Sequence, residues 1–166
     1  MGNMYGAKVC LIRFCGGVMK FFFVFILMFS LSGFANELSL ELAKKIALKA
    51  SQYATKKSWK ISIAIVNSEG NLVYFERGNG TYFGSVGSSQ EKAQSSNAFQ
   101  RPTSAFVEAV RSGKLGLISG KNIVAIEGGV PITIKGKHVG AIGISGAKAI
   151  EDEEIAKEAL KAIPEV

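Results

Sequence analysis

Cysteine, methionine and histidine are scarce in this chain, and most of them lie near its start. The two cysteines, Cys10 and Cys15, and all four methionines precede residue 29, and His138 is the one histidine. The chain after residue 35 therefore excludes a disulfide, a thiolate nucleophile, a zinc cluster and a Cys or Met ligand to haem iron. A Ser-His-acid triad would need His138, and no serine lies in a nucleophile-elbow pattern. The sequence thus shows no catalytic constellation.

The first 35 residues have the layout of a secretory signal peptide. Lys20 precedes the apolar run Phe21–Leu31, and small residues follow at positions 33 and 35. A membrane-spanning helix needs about 20 apolar residues, and this run is shorter. We predict cleavage after Ala35, with Met19 as a more natural start than Met1, and a periplasmic or secreted protein without a stable membrane span. An uncleaved N-terminal anchor is the alternative interpretation.

Charged residues are scattered over the chain after the leader. Three of the 20 basic residues and none of the 13 acidic residues lie within residues 1–35, which leaves 17 basic against 13 acidic residues and a net charge of +4. The lysines between residues 44 and 60 form the densest group, and we interpret them as a solvated helix face. Nucleic acid is therefore not expected as a partner. Residues 36–166 are long enough for one hydrophobic core, so we predict a single domain.

The pattern of apolar residues and turn signals predicts the element order α-ββ-αα-βββ-α. Ser39 is a candidate N-cap for the first helix, and Ser88 with Glu91 is a candidate capping box for the second. The helices are predicted over residues 40–57, 88–99, 104–111 and 151–163, and the strands over residues 61–66, 72–76, 123–126, 132–135 and 138–145. This order predicts an α+β domain with an antiparallel five-stranded sheet and flanking helices.

Residues 123–147, IVAIEGGVPITIKGKHVGAIGISGA, contain six glycines among β-branched and apolar residues. The pattern is typical of strands joined by tight turns, with glycines where another group approaches the backbone. Gly140, Gly143 and Gly146 do not form a dinucleotide-binding fingerprint, because they lie within a late strand and open no βαβ unit. Gly128 and Gly129 are candidates for one wall of a ligand pocket.

Several motifs, in order along the chain, resemble the GlcG/HbpS-type family. They are SLELAKKIA in the first helix, ISIAIVNSEGNLV in the first hairpin, Arg101-Pro102-Thr103-Ser104 between the middle helices, and EGGVPI and GAIGISG in the glycine-rich end. The resemblance implies a PAS/profilin-like sheet, homo-oligomers and a small-molecule ligand, which in some members of the family is haem.

The resemblance does not imply a single function. Related domains occur beside glycolate-utilisation genes, within corrinoid-processing proteins and as exported haem sensors, and the predicted signal peptide favours the exported kind. The expected function is therefore that of an exported protein that binds haem or a related tetrapyrrole. An enzyme of the same family, acting in haem degradation or in the utilisation of a small organic acid of the glycolate type, is the alternative.

A haem site needs an apolar slot, cations for the propionates and usually an axial ligand. Tyr53, Tyr74, Tyr82 and His138 are left for the axial position, and His138 is the candidate metal ligand, although beside a hairpin turn it also fits a solvated strand residue. The predicted ligand-binding residues are Tyr82, Phe83, Lys92, Arg101, Pro102, Thr103, Gly128 and Gly129. Arg101 to Ser104 also fit a simple helix stop followed by a cap.

Overall fold

The computed structural model describes residues 38–164, which form an α+β domain. The helices are α1 (Leu40–Lys56), α2 (Gly84–Phe99), α3 (Ser104–Arg111) and α4 (Ala149–Leu160), with a 3-10 helix over Leu115–Ser119. The strands are β1 (Ser62–Asn67), β2 (Leu72–Arg77), β3 (Gly129–Ile134) and β4 (Lys137–Ser145). Among the described residues, no helix has the length and apolar character needed to cross a membrane. The predicted signal peptide and its cleavage site lie outside these residues.

The sheet contains four strands in the order β2-β1-β4-β3, and every neighbouring pair is antiparallel. The predicted α+β class and antiparallel sheet are confirmed, but the predicted count of five strands is wrong. Residues 123–126 follow a turn, and their backbone is irregular instead of forming a strand. The N–H of Val124 donates to Ser95 Oγ at 3.0 Å, and the N–H of Ile123 donates to the Gly120 carbonyl at 3.4 Å. A side chain and a turn thus take the hydrogen bonds that a strand would give to its neighbour.

One face of the sheet buries large aliphatic side chains beneath α1 and α4. Ser39 begins α1 as predicted, because its Oγ accepts the N–H of Leu42 at 3.2 Å. The fully buried isoleucines of this layer are Ile46, Ile63, Ile65, Ile132, Ile142, Ile144 and Ile155. Burying one such side chain contributes about 1.5–3 kcal/mol, so this layer is the main hydrophobic core.

The opposite face of the sheet carries small residues, and α2 lies close to the sheet backbone. Ala64 and Ala141 on the sheet cluster with Ala93 of α2. A Cβ atom on Gly143 would lie 2.0 Å from the carbonyl oxygen of Ser89, so only glycine fits at this position. The close approach explains why α2 is rich in serine, alanine and glycine.

Helix α2 begins at Gly84, one turn before the predicted capping box at Ser88 and Glu91, so that prediction of the helix start is wrong. Ser85 already lies in the first turn, where it is fully buried and its Oγ is 2.8 Å from Ser62 Oγ on β1. The contact of this serine with the sheet extends the helix toward its N-terminus, and a local sequence motif does not reveal it.

A buried ion pair joins α2 to the start of α4. The Nζ of Lys92 donates to Asp152 Oδ2 at 2.8 Å and to the carbonyl oxygen of Ile144 at 2.9 Å, and both charged side chains are 2% exposed. Asp152 Oδ1 also accepts the N–H of Ala147 at 3.0 Å. Burial raises the pKa of Asp152, while Lys92 and the backbone donors act in the opposite direction. The pair therefore fixes α2, the end of β4 and α4 in one arrangement.

We expect Lys92→Met to lower the free energy of unfolding by about 3–5 kcal/mol, because it leaves the Asp152 carboxylate buried without its cation. Urea unfolding of the purified protein measures the change. Lys44→Met is the control, since the Lys44–Glu41 pair is exposed and its loss should cost less than about 1 kcal/mol. Equal losses in the two variants would contradict a structural role for the buried pair.

Candidate functional site

Four of the predicted ligand-binding residues meet at the start of β3. The N–H of Gly129 donates to Thr103 Oγ1 at 3.0 Å, and the N–H of Thr103 donates to the Gly129 carbonyl at 2.9 Å. A Cβ atom on Gly129 would lie 2.3 Å from the Lys92 carbonyl oxygen, and one on Gly128 would lie 3.0 Å from Lys92 Nζ. Lys92 and Thr103 are buried. Protein atoms thus fill this junction, and its observed contacts are structural.

The remaining predicted residues lie at the two ends of α2. Tyr82 and Phe83, which are 56% and 84% exposed, precede the helix, and Arg101 and Pro102 follow it. A helix of 16 residues is about 24 Å long. The structure therefore does not bring the aromatic pair together with Arg101. The guanidinium of Arg101 lies 5.9 Å from the ring centre of Phe106, so this side chain packs on the adjacent helix α3.

His138 on β4 is held as a neutral imidazole. Its Nε2 lies 2.8 Å from Oδ1 of Asn97, and the Nδ2 of Asn97 donates to the Ser68 carbonyl at 3.2 Å. Because the second contact fixes the orientation of the amide, Nε2 must carry the hydrogen. Nδ1 is buried and has no hydrogen-bond partner among the described residues. Burial lowers the pKa of His138, because a proton on Nδ1 would be shielded from water without an acceptor.

The three tyrosines that the sequence offers as axial ligands of haem iron differ in their surroundings. The hydroxyl of Tyr53 donates to Glu154, and that of Tyr74 donates to Glu76. These hydrogen bonds to carboxylates raise the pKa of both phenols, which disfavours the tyrosinate that binds iron. The hydroxyl of Tyr82 lies 3.5 Å from Ser145 Oγ, and Tyr82 is the most exposed of the three residues.

A cleft of about 940 Å³ lies between β3 and the C-terminal end of α4. We call it the cationic cleft because three lysines surround apolar side chains there. Its lining residues are Pro131, Thr133, Lys135, Lys157, Leu160, Lys161, Ala162, Ile163 and Pro164. An amphiphilic anion fits this composition, since its apolar body can contact Leu160 and Ile163 while its carboxylates meet the lysine ammonium groups.

None of the predicted ligand-binding residues lines the cationic cleft. Lys157 and Lys161 lie at the end of a predicted helix, where the helix dipole by itself favours basic side chains. The sequence contained a local signal for a lysine-rich face next to an apolar residue. Lys157 and Lys161 are four residues apart and so lie on one helix face, and Leu160 lies between them in the sequence. Lys135 could not be added from the sequence, since the β3–β4 turn brings it to the cleft only in the folded chain.

We expect the protein to lose stability as the pH falls below about 6.5, the ordinary pKa of histidine. His138 has a lowered pKa in the folded state, so the unfolded state takes up the proton first and stability rises with pH through this window. Urea unfolding at pH 7.5 and 5.5 should show a smaller loss for His138→Gln than for the unaltered protein. Identical losses would contradict the neutral, buried imidazole.

Comparison with known proteins agrees with the described fold. The family model described as haem degrading protein HbpS-like matches residues 38–161. GlcG from Escherichia coli K12 is 31% identical over 108 residues, which cover 65% of this chain and 81% of GlcG. The crystal structure of a double mutant of HbpS from Streptomyces reticuli is 29% identical, with a TM-score of 0.74 over 80% of this chain and 91% of that one.

A third similar structure, that of a PduOC:heme complex, has a TM-score of 0.70 and covers 76% of this chain and 95% of its own. At 24% identity it shows the shared fold alone. The match of the family model extends over nearly all of the described residues, and the motifs that suggested the family lie within it. The chain belongs to the HbpS-like family.

Proposed function

We propose that this protein binds haem or a related tetrapyrrole, and that the cationic cleft holds the ligand. The observation that carries the proposal is the group of three lysines around an apolar floor. The description of the family as haem degrading supports the choice of ligand class. Clefts of about 300–1,000 Å³ are typical for ligands of drug size, and this cleft reaches the upper part of that range.

The chemistry of a porphyrin matches the cleft in two respects. The macrocycle is a flat apolar body, for which Pro131, Leu160 and Ile163 offer apolar contact. Two propionates project from one edge of the ring, and the ammonium groups of Lys135 and Lys161 can form charge-assisted hydrogen bonds with them, although Lys161 then shares its charge with Glu158 Oε2, which lies 2.6 Å from its Nζ. A carboxylic acid of glycolate size would use the lysines and leave the apolar floor uncovered. The cleft therefore favours the tetrapyrrole over the small organic acid.

The cleft does not match the usual ligation of haem iron. Its lining residues include no histidine, cysteine, methionine or tyrosine. The imidazole of His138 is committed to Asn97 through Nε2, and its Nδ1 is shielded. The lining residues can thus contact the ring and its carboxylates, but they offer no axial ligand to the iron. The proposed role is therefore binding.

We expect haem and metal-free protoporphyrin IX to bind with dissociation constants within about threefold of each other, because an iron ligand would add more than the corresponding 0.7 kcal/mol. Absorbance titration of the purified protein measures both constants. The absence of a Soret shift with micromolar haem would refute haem binding. Haem affinity more than about tenfold above that of protoporphyrin would show that a side chain ligates the iron.

A variant pair tests the position of the ligand in the same titration. Lys135→Gln combined with Lys161→Gln should weaken the binding of both tetrapyrroles by about tenfold or more, since each lost charge-assisted hydrogen bond costs about 1.5–3 kcal/mol. The exposed lysines Lys44 and Lys45 on α1 provide the control, Lys44→Gln with Lys45→Gln. Equal affinities in the two double variants would exclude the cationic cleft. Slow bleaching of bound haem by a reductant would favour the degrading enzyme.

We further propose that the protein is exported and that the leader is removed after Ala35. The support is the sequence pattern of residues 20–35. When the full chain is expressed in a bacterium with a periplasm, the recovered periplasmic protein should begin at Asn36 on N-terminal sequencing. Retention of the uncleaved chain in the membrane fraction would instead support an N-terminal anchor. The homo-oligomer that the family resemblance implies stays a prediction, and gel filtration of the same material measures it.

A further inference from the structure

A second cleft, of about 460 Å³, lies between α3, the segment before β3 and the first turns of α4. We call it the acidic cleft, because three carboxylates and two cations line it together with a hydroxyl group. These residues are Ser104, Arg111, Glu127, Glu153, Glu154 and Lys157. The proposed tetrapyrrole site does not use this cleft, and its excess of acids would repel propionates.

The most informative side chain of the acidic cleft is Glu153, which is 6% exposed. Its Oε1 accepts hydrogen bonds from Ser104 Oγ at 2.9 Å and from Lys157 Nζ at 2.7 Å. Its Oε2 is buried and has no donor among the described residues. A buried carboxylate oxygen without a donor is costly, so this atom has an unused capacity to accept a hydrogen bond.

The other charges of the cleft are already paired among themselves. Arg111 contacts Glu127 at 3.6 Å and the neighbouring Glu108 at 2.6 Å, and the side chain of Glu127 is only 14% exposed. Glu154 accepts the hydroxyl hydrogen of Tyr53. Three carboxylates and two cations line the cleft, so its local charge is negative. A ligand that completes this site brings positive charge.

The structure also restricts the kind of cation. Among the described residues, no group of three or more His, Cys, Asp or Glu side chains has a geometry that could hold a metal ion. The unused Oε2 calls for a hydrogen-bond donor, which an ammonium or a guanidinium supplies in addition to its charge. The side chain of Ile150, which is 71% exposed at the rim, offers contact to an alkyl stem.

We propose that the acidic cleft binds a small organic cation that carries N–H donors, of the alkylammonium or alkylguanidinium class. The ammonium or guanidinium head lies between Glu153 and Glu127, and the alkyl stem lies along Ile150. To reach the ligand, Oε2 must turn about the terminal torsion of Glu153, which exchanges hydrogen bonds that Oε1 accepts from Ser104 and Lys157 for one from the ligand. The two clefts share Lys157, so binding at the acidic cleft is measured in the absence of a tetrapyrrole.

Titration of the purified protein with n-butylammonium, followed by amide NMR shifts and without any tetrapyrrole, tests the proposal. We expect saturable shifts at Ser104, Glu127 and Glu153. Neutral n-butanol tests the need for charge, and tetramethylammonium tests the need for N–H donors. Both should shift these signals much less. No saturable shift with butylammonium, or an equal response to tetramethylammonium, would overturn the proposal.

Two variants connect the binding to named side chains. Glu153→Gln and Glu127→Gln should each weaken butylammonium binding by about tenfold, since each removes a charged acceptor worth about 1.4 kcal/mol or more. Glu127 is less buried than Glu153, so its variant remains informative if Glu153→Gln fails to fold. Glu91→Gln is the control, because Glu91 is exposed on α2 and does not line the cleft. Unchanged affinity in the Glu127 and Glu153 variants would contradict the site.

Discussion

The arrangement of this domain depends on the buried ion pair between Lys92 and Asp152. Removing two charges from water is expensive, and the cost is offset only where geometry and hydrogen bonds are complete. Here the ammonium of Lys92 donates hydrogen bonds to the Asp152 carboxylate and to the backbone carbonyl of Ile144 near the end of β4. The Asp152 carboxylate also accepts a hydrogen bond from a backbone N–H. The pair thus closes the end of the sheet, where Gly128 and Gly129 must pass without side chains.

Helix α4, which carries Asp152 of the buried ion pair, also lines both clefts. The helix dipole favours acidic residues near its N-terminus and basic residues near its C-terminus. The first half of α4 accordingly carries Glu153 and Glu154, and its end carries Lys157 and is followed by Lys161. One helix therefore places the acidic cleft beside its first turns and the cationic cleft beside its last. Lys157 borders both clefts and forms an ion pair with Glu153.

The sequence was sufficient for those elements that local signals determine. The cap at Ser39, the first hairpin and the α+β class follow from side-chain chemistry and periodicity. Residues 123–126 have the composition of a strand. Their backbone N–H groups, however, donate to the side chain of Ser95 and to a carbonyl of the preceding turn, and not to a neighbouring strand. Ser88 and Glu91 form a cap motif only in isolation, since contact with the sheet lengthens α2. The full burial of Lys92 could not be expected, because lysine is rarely buried unless it is paired.

The candidate site was harder to predict because long-range contacts decide it. Tyr82 and Arg101 were both predicted to bind the ligand, yet a whole helix separates them. The cationic cleft is lined by residues from the β3–β4 hairpin and from the end of α4. These segments are distant in the sequence, so no local pattern predicts that they lie together. Lys92, Thr103 and the two glycines, which were predicted to bind a ligand, lie together, and their contacts with one another are structural.

The separation between the buried polar junction and the two clefts has an evolutionary consequence. The lysines of the cationic cleft are exposed, and substitutions at such surface positions usually change stability by no more than about 0.5 kcal/mol. Lys92, Asp152 and the glycines cannot change so freely, because each is held by close packing or buried charge. Residues that line the proposed ligand site can therefore change while the fold is retained.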